Sequence, residues 1–395
     1  MRLYALAAAL VGLLAALPAG ANTLTVPGQY ATIQSAVNAA QPGDTISVSP
    51  NVATPGNPNG YYQEFVHITT NGIRLVGIHN PVLDGSTLGT PGVTPSPALP
   101  YFGNNGITVD ADNVTITGFT IQNYYYYVNT GGIPPLAGGI RVNPTASGDV
   151  HDNVLAHNGE GLEIEGPLVT PQTFSITDND ISCSFSAGVD LESVSGDIVV
   201  AHNEIFSNGN HGLSANTSSG LKVRHNDVYG NGALFSLWGN SMGIIISGSG
   251  VIGAPPSIVE LNNVYSNTSL AGIYIFQSAN QTISHNVVTQ NSMDGIDLDF
   301  CSQGTVSVDH NTADYNGFNG ITLFDFTSGC AVAFNDASSN ANNGILLDVT
   351  TSGNTVSHNT AFHNLVVDEE DDTVPISNTW SKNKYGTSLP SNLPN

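Results

Sequence analysis

The sequence predicts an all-β solenoid of about ten or more stacked coils, each made of three short strands. Three observations carry this. A Gly opens each unit, at Gly106, Gly139, Gly161, Gly188, Gly212, Gly243, Gly272, Gly295, Gly320 and Gly344, with spacings of 22 to 33 residues. An Asn recurs once per unit, at Asn153, Asn179, Asn203, Asn226, Asn262, Asn286, Asn311, Asn335 and Asn359. Between these marks, apolar residues alternate by twos, the strand period. A helical repeat would hold its length more strictly and tolerate less Gly, Asn and Thr.

The first strand follows the Gly, with Ile140/Val142, Leu162/Ile164, Val189/Leu191, Ile273/Ile275, Ile296/Leu298 and Ile321/Leu323 directed inward. The second contributes Val200, Val223, Ile283, Val308, Val332 and Val356, three residues before the Asn. The third contributes Leu155, Ile181, Ile205, Val228 and Val288, two residues after it. One apolar face per strand cannot be buried within a single coil, so the coils stack around a common core. The Asn falls at a corner, where it tolerates left-handed backbone and its amide both donates and accepts. A second Asn, as in Asn208, Asn231, Asn291, Asn316, Asn340 and Asn364, marks the next corner.

Residues 1–21 read as an export signal: Arg2, the apolar run "LYALAAALVGLLAAL", then the small residues Ala19 to Ala21. Export to the periplasm or the exterior is therefore expected, with no span of the ~20 apolar residues that cross a bilayer elsewhere. Residues 22–395 read as one domain, with 22–50 an N-terminal cap, 106–364 the repeats and 365–395 a C-terminal cap. A monomer is expected. The 7 Lys and Arg against 31 Asp and Glu, a formal charge of −24, argue against nucleic acid and anionic membrane. Acidic polysaccharides would be repelled too, unless a cation such as calcium bridged them. Cys301 and Cys330, about one repeat apart, are a candidate disulfide. Cys183 shares the parity of Ile181 and is expected to be a buried free thiol.

The repeats resemble those of right-handed parallel β-helices of the pectin-lyase-like group, most of all NosD-type periplasmic proteins. "YATIQSAVNAAQPGDTISVSP" resembles the entry of that family, a short capping helix with Ile33, Ala36, Val37 and Ala40 on one face. "NTWSKNKYGTS", Asn378 to Ser388, resembles its closing strand. The resemblance implies that ligands lie along the outer face of the first strand stack. There the outward residues are Thr108/Asp110, Arg141/Asn143, Glu163/Glu165, Asp190/Glu192, Ser214/Asn216, Ile245/Ser247, Tyr274/Phe276, Asp297/Asp299, Thr322/Phe324 and Leu346/Asp348.

Glu163, Glu165, Asp190 and Glu192 then form a block about 7 Å by 5 Å, with Arg141 one coil away. Four such charges either gather a cation, calcium being the candidate, or raise one another's pKa. A raised carboxyl beside an ionised one is an acid/base pair. Asp190 and Glu163 are the expected catalytic pair, with Glu165 and Glu192 assisting and Arg141 orienting an anionic group. Two long connections, 123–138 and 231–242, enter nearby coils. Tyr124, Tyr125, Tyr126, Tyr127, Phe235 and Trp238 on them, with Asn143 and Asn216 on the face, are the expected sugar contacts. The ordinary alternative is a solvated acidic face on a non-catalytic scaffold.

Three weaker features remain. His202, His225, His285, His310 and His358 precede the corner Asn; a structural role fits them best, although the NosD-type resemblance implies copper as an alternative. "NHGLSANTSS", Asn210 to Ser219, resembles the Gly-His-Gly segment of polygalacturonases, with His211 in the matching place. The preceding Asp pair of that family would fall at Ser186 and Ala187, and no Arg-Ile-Lys segment follows. "DEEDD", Asp368 to Asp372, reads as a solvated turn. The expected function is thus binding, and cleavage or epimerisation, of an extracellular polysaccharide.

Overall fold

The computed structural model describes residues 20–86, 105–124, 137–143, 146–166, 171–233, 241–249, 255–268, 270–301, 306–391 and 393–394. Three parallel sheets run the length of the solenoid. The first has 13 strands, from Val66–Ile68 to Ser388–Leu389, and the second has 14, from Thr23–Val26 to Thr379–Ser381. The third has 8, from Val82–Asp84 to Val287–Thr289, and continues through bridges at Thr312 and Asp336 to Thr360–Ala361. Every inward residue expected of the three strands is fully buried in one continuous core. Among the described residues no helix is long and apolar enough to cross a membrane.

The corners show why the Asn recurs. The amide Nδ2 of Asn286 donates to Oδ1 of Asn311 (2.9 Å) and to the carbonyl of Val259 (2.8 Å), and its Oδ1 accepts from the backbone and side chain of Asn262 (both 3.0 Å). The same pattern links Asn153 through Asn359 and on to Asn383. A second ladder runs through Asn208, Asn231, Asn267, Asn291, Asn316, Asn340 and Asn364. The left-handed residue is not the Asn, however, but the one before it: His202 (φ 57), His225 (φ 54), Leu261 (φ 56), His285 (φ 55), His310 (φ 56) and Phe334 (φ 57). That turn throws the preceding side chain outward and aims the Asn inward.

The repeated Gly is explained by close approach. A Cβ at Gly272 would meet Cγ1 of Val288 at 2.5 Å and Nδ2 of Asn291 at 2.6 Å, so the third strand and the second ladder occupy its space.

Several expectations are corrected. The cysteines are free. Cys301 stands in a hydroxyl ladder with Ser218, Ser249, Ser278 and Thr327, its backbone donating to Thr327 Oγ1. Cys330 heads another ladder, donating its backbone N–H to Asn354 Oδ1. Each buried thiol takes the place of a small polar side chain at its own corner, so the two do not pair. Cys183 is exposed, because it occupies a left-handed corner (φ 55) that reverses its direction. "DEEDD" is not a solvated turn. It forms the strand Val367–Asp371, in which Asp368, Glu369 and Asp371 are buried.

The ends are closed chemically. The helix α1, Ile33–Ala39, buries Ile33, Ala36 and Val37 under a Thr32–Ser35 capping box, while Glu64 accepts the N–H groups of Ile33 and Gln34. At the other end Asp368 replaces Asn as acceptor for Asn364 and takes the Gly386 and Thr387 amides. Asp371 accepts from Trp380 Nε1 at 2.8 Å.

Replacing Asn286 by Ala orphans the Asn262 amide and the Val259 carbonyl, and is expected to cost about 2–4 kcal/mol. His285→Gly relieves left-handed backbone that costs an L-residue roughly 1–2 kcal/mol, and should be neutral or stabilising. Urea unfolding of both variants checks this; equal losses would refute the division of labour at the corner.

Candidate functional site

The outward positions of the first sheet are in the expected register. Glu163 pairs with Asp190 and Glu165 with Glu192 on adjoining strands, and Arg141 lies opposite Glu163 on the other side. The carboxylates therefore sit one strand spacing apart, about 4.8 Å between Cα atoms. The Arg141 guanidinium bridges Glu163 and Glu165, one nitrogen to each, and both Arg141 and Glu163 have side chains only 11% exposed. Asn143 receives the Arg141 Nε–H (3.2 Å) and donates to Asp110. Asn216 donates to Glu192 (3.2 Å) and accepts from Ser247 (3.1 Å). Both Asn residues thus hold the face together.

One acid was missed. Glu160, buried beside the block, precedes the opening Gly of its coil and pairs with Gly138. Its column also holds Asn105, Ala187, His211, Met242, Ala271, Asp294, Asn319 and Asn343, each just before the first strand's Gly. Asn105 and Asn319 reach forward to Thr108 and Thr322, the outward residues three positions on, so this is a third outward column. Polar residues recurring before Gly were the available signal.

Burial dominates the electrostatics. It pushes Glu163 up to about 7, with Arg141 opposing and Asp190 and Glu165 reinforcing. Glu192 is likewise pushed up to about 7 by burial and then by Asp190, Asn216 opposing. Asp190 is raised by burial against hydrogen bonding from Ser214 and the Leu191 amide. Glu160 is raised well above the carboxylate range by burial, then by Asp190 and Glu163. Near neutral pH the block therefore holds protons and carboxylates side by side.

His211 is held neutral by burial, its pKa lowered to about 4, and the Met242 N–H donates to its Nδ1 at 3.1 Å, which leaves the ring proton on Nε2. Asp297 and Asp299 lie across from Tyr274 and Phe276, and Tyr274 donates to Asp299 at 2.8 Å.

The expected aromatic wall is corrected at Tyr124. It follows the left-handed Asn123 (φ 63), donates its backbone N–H to Asn158 Oδ1, and so fills an inward ladder place. Its ring is buried and its hydroxyl donates to the Glu64 carbonyl at 2.7 Å. Tyr125, Tyr126, Tyr127, Phe235 and Trp238 lie outside the described residues.

Arg141 supplies compensating charge to the acid block, and among the described residues no group of three or more His, Cys, Asp or Glu is arranged to hold a metal ion. The corner histidines stack on one another: His202 and His225 at 4.9 Å and His285 and His310 at 5.0 Å, face to face.

A family model described as the right-handed β-helix region matches residues 105–255 and 243–389. No curated protein matches the sequence. Among solved structures, the chain is similar to the A-module of the mannuronan C-5 epimerase AlgE6 of Azotobacter vinelandii, at 13% identity and TM-score 0.60, over 92% of this chain and 94% of that one. It is similar to the Dettilon tailspike protein at 14% identity and TM-score 0.57, over 85% and 66%. It is also similar to the periplasmic alginate epimerase AlgG at 16% identity and TM-score 0.55, over 87% and 77%. At these identities the likeness is one of fold.

Groups with raised folded pKa values bind protons that the unfolded chain releases, so the block's contribution to stability should fall as pH rises from about 5 to 8. Arg141→Met should cost about 3–5 kcal/mol at pH 8, the range for breaking a buried ion pair, and markedly less at pH 5. Denaturant unfolding at both pH values tests it; a pH-independent loss would refute the clamp.

Proposed function

This chain belongs to the right-handed β-helix family, and on that premise we propose that it is an exported protein that binds and chemically processes a polysaccharide on the outer face of its first sheet. The observation that carries the reading is the registered block of Glu163, Asp190, Glu165 and Glu192 beside Glu160, with a single guanidinium clamping one edge. A merely solvated acidic face would not bury its carboxyls or raise them toward neutrality. The polysaccharide-related neighbours on the same fold support the substrate class, as the apolar start of the chain supports export.

Asp190 is the proton donor in this reading. It is raised by burial, lies beside Glu192 and Glu163, and protonates the departing glycosidic oxygen. Glu163, held by the Arg141 guanidinium, acts as the opposing carboxylate. Their Cα atoms are one strand spacing apart, about 4.8 Å, which suits the close carboxyl pair of retaining glycosidases, ~5–5.5 Å, better than the ~6.5–9.5 Å of inverting ones. That favours hydrolysis with retention: Glu163 attacks the anomeric carbon as the Asp190 proton moves to the leaving oxygen. Asp190 then takes a proton from the water that displaces Glu163. The Asp190 charge in turn raises Glu192 and Glu160, and Glu165 shares Arg141.

The test is a polysaccharide panel followed by new reducing ends and by the ultraviolet absorbance of unsaturated uronides. Asp190→Asn and Glu163→Gln should each lower kcat by about 10²–10⁴-fold, with the melting temperature retained in Asp190→Asn. Reducing ends without ultraviolet absorbance support hydrolysis. Activity that survives both substitutions would refute the site, and a protein that neither cleaves nor binds any polymer would be a non-catalytic scaffold.

A further inference from the structure

We propose that the same outer face carries a second sugar-binding subsite, built by Tyr274, Phe276, Asp297, Asp299, Phe300 and Phe324, and that the glycan spanning both sites is uncharged. This rests on the polysaccharide reading above and narrows its substrate.

The geometry is on the first sheet. Tyr274 pairs with Asp297, Phe276 with Asp299, and Asp299 in turn with Phe324. Rings follow one another across the surface: Tyr274 and Phe276 at 5.8 Å, Phe276 and Phe300 edge-on at 5.9 Å, Phe300 and Phe326 at 6.0 Å. Phe324 is 42% and Phe326 61% exposed, so a run of aromatic surface is left to water. No packing need within the coil explains large rings at outward positions, where neighbouring coils carry Ser214, Asn216 and Ser247. Asp190 and Asp297 are four strand steps apart, through Ser214, Ile245 and Tyr274, or about 19 Å at the strand spacing. The strip between them bears Ser214, Asn216, Ile245 and Ser247, side chains of modest size that make a floor over which an extended chain can lie.

The charge class follows from what the face lacks. Arg141 is the one Lys or Arg at the outward positions of this sheet among the described residues, and it already bonds Glu163 and Glu165. An anionic sugar at either subsite would meet carboxyl groups with no spare cation, on a chain of formal charge −24. Aromatic faces take the C–H face of a sugar ring. Oδ1 of Asp297 and of Asp299 is shielded from water and receives no hydrogen bond. Burial, and after it the charges of Asp294, Asp299 and Asp325, raise Asp297 well above the usual carboxylate range and favour its protonated form. A protonated carboxyl donates as well as accepts, the complement of a hydroxyl group and not of a carboxylate.

Affinity electrophoresis of the full protein tests this in gels containing uncharged polymers (a mixed-linkage glucan, a galactomannan, an arabinoxylan, starch) and, separately, alginate and polygalacturonate. Expected is retardation by at least one uncharged polymer and by neither polyuronate. Phe324→Ala, an exposed position, should weaken that binding at least tenfold, and Asp297→Asn should weaken it without changing the melting temperature. Lys222→Ala, on the second sheet and away from this face, should retain it. Retardation by a polyuronate would overturn the charge class, and wild-type binding by Phe324→Ala would overturn the subsite. Retardation by no polymer at all would sink the polysaccharide reading and this proposal with it.

Discussion

The structure depends on the inward amide at each left-handed corner. A coil must turn sharply three times and stay one strand spacing high, and each turn would otherwise leave buried N–H and C=O groups unpaired. The stacked Asn side chains satisfy them: one amide bonds the amide above, the amide below and a backbone carbonyl within a buried column. Because the column is continuous, it locks the register of every strand that enters or leaves it. A slip of one residue would turn the whole apolar set outward. Ser, Thr and Cys serve the same purpose at other corners, where a hydroxyl or thiol replaces the amide.

That rigid register creates the electrostatics of the outer face. Strands held one spacing apart cannot spread to relieve repulsion, so acids at equivalent places in adjoining coils are held together. Arg141 relieves one edge of the block, at Glu163 and Glu165, and protonation relieves the rest. The ladder thus sets the proton affinity of groups it does not touch. Asp297, raised first by its burial, is raised further by Asp294, Asp299 and Asp325 held beside it in the same way.

The ends meet the same demand by other means. An open coil is a row of unpaired backbone groups across three sheets. Helix α1 covers the N-terminal end, with Glu64 anchoring its first turn. At the C-terminal end the acids of Val367–Asp371 take over from Asn. Asp368 terminates the second ladder and Asp371 receives Trp380 and Thr373. Glu369 alone points into the core with neither oxygen bonded, and burial pushes it up to about 8, so it sits there as the neutral acid.

The sequence by itself determined the coils, their inward columns and the outward register, since period-two alternation between marked corners leaves a strand one way to face. It therefore also placed Glu163 against Asp190 and Glu165 against Glu192. What it left open was decided by backbone direction at the corners and by burial. Cys183 and Tyr124 each lie just beyond a strand, where a left-handed residue breaks the parity that served elsewhere; one is turned out and the other in. Glu160 precedes a Gly, so alternation said nothing of its side. Cys301 and Cys330 were close enough in sequence to pair, yet each is committed to its own corner ladder. Which of the acids Arg141 bridges was likewise a tertiary matter: pattern fixes which column a side chain joins, but only packing settles which neighbour its end group reaches and how much water it keeps.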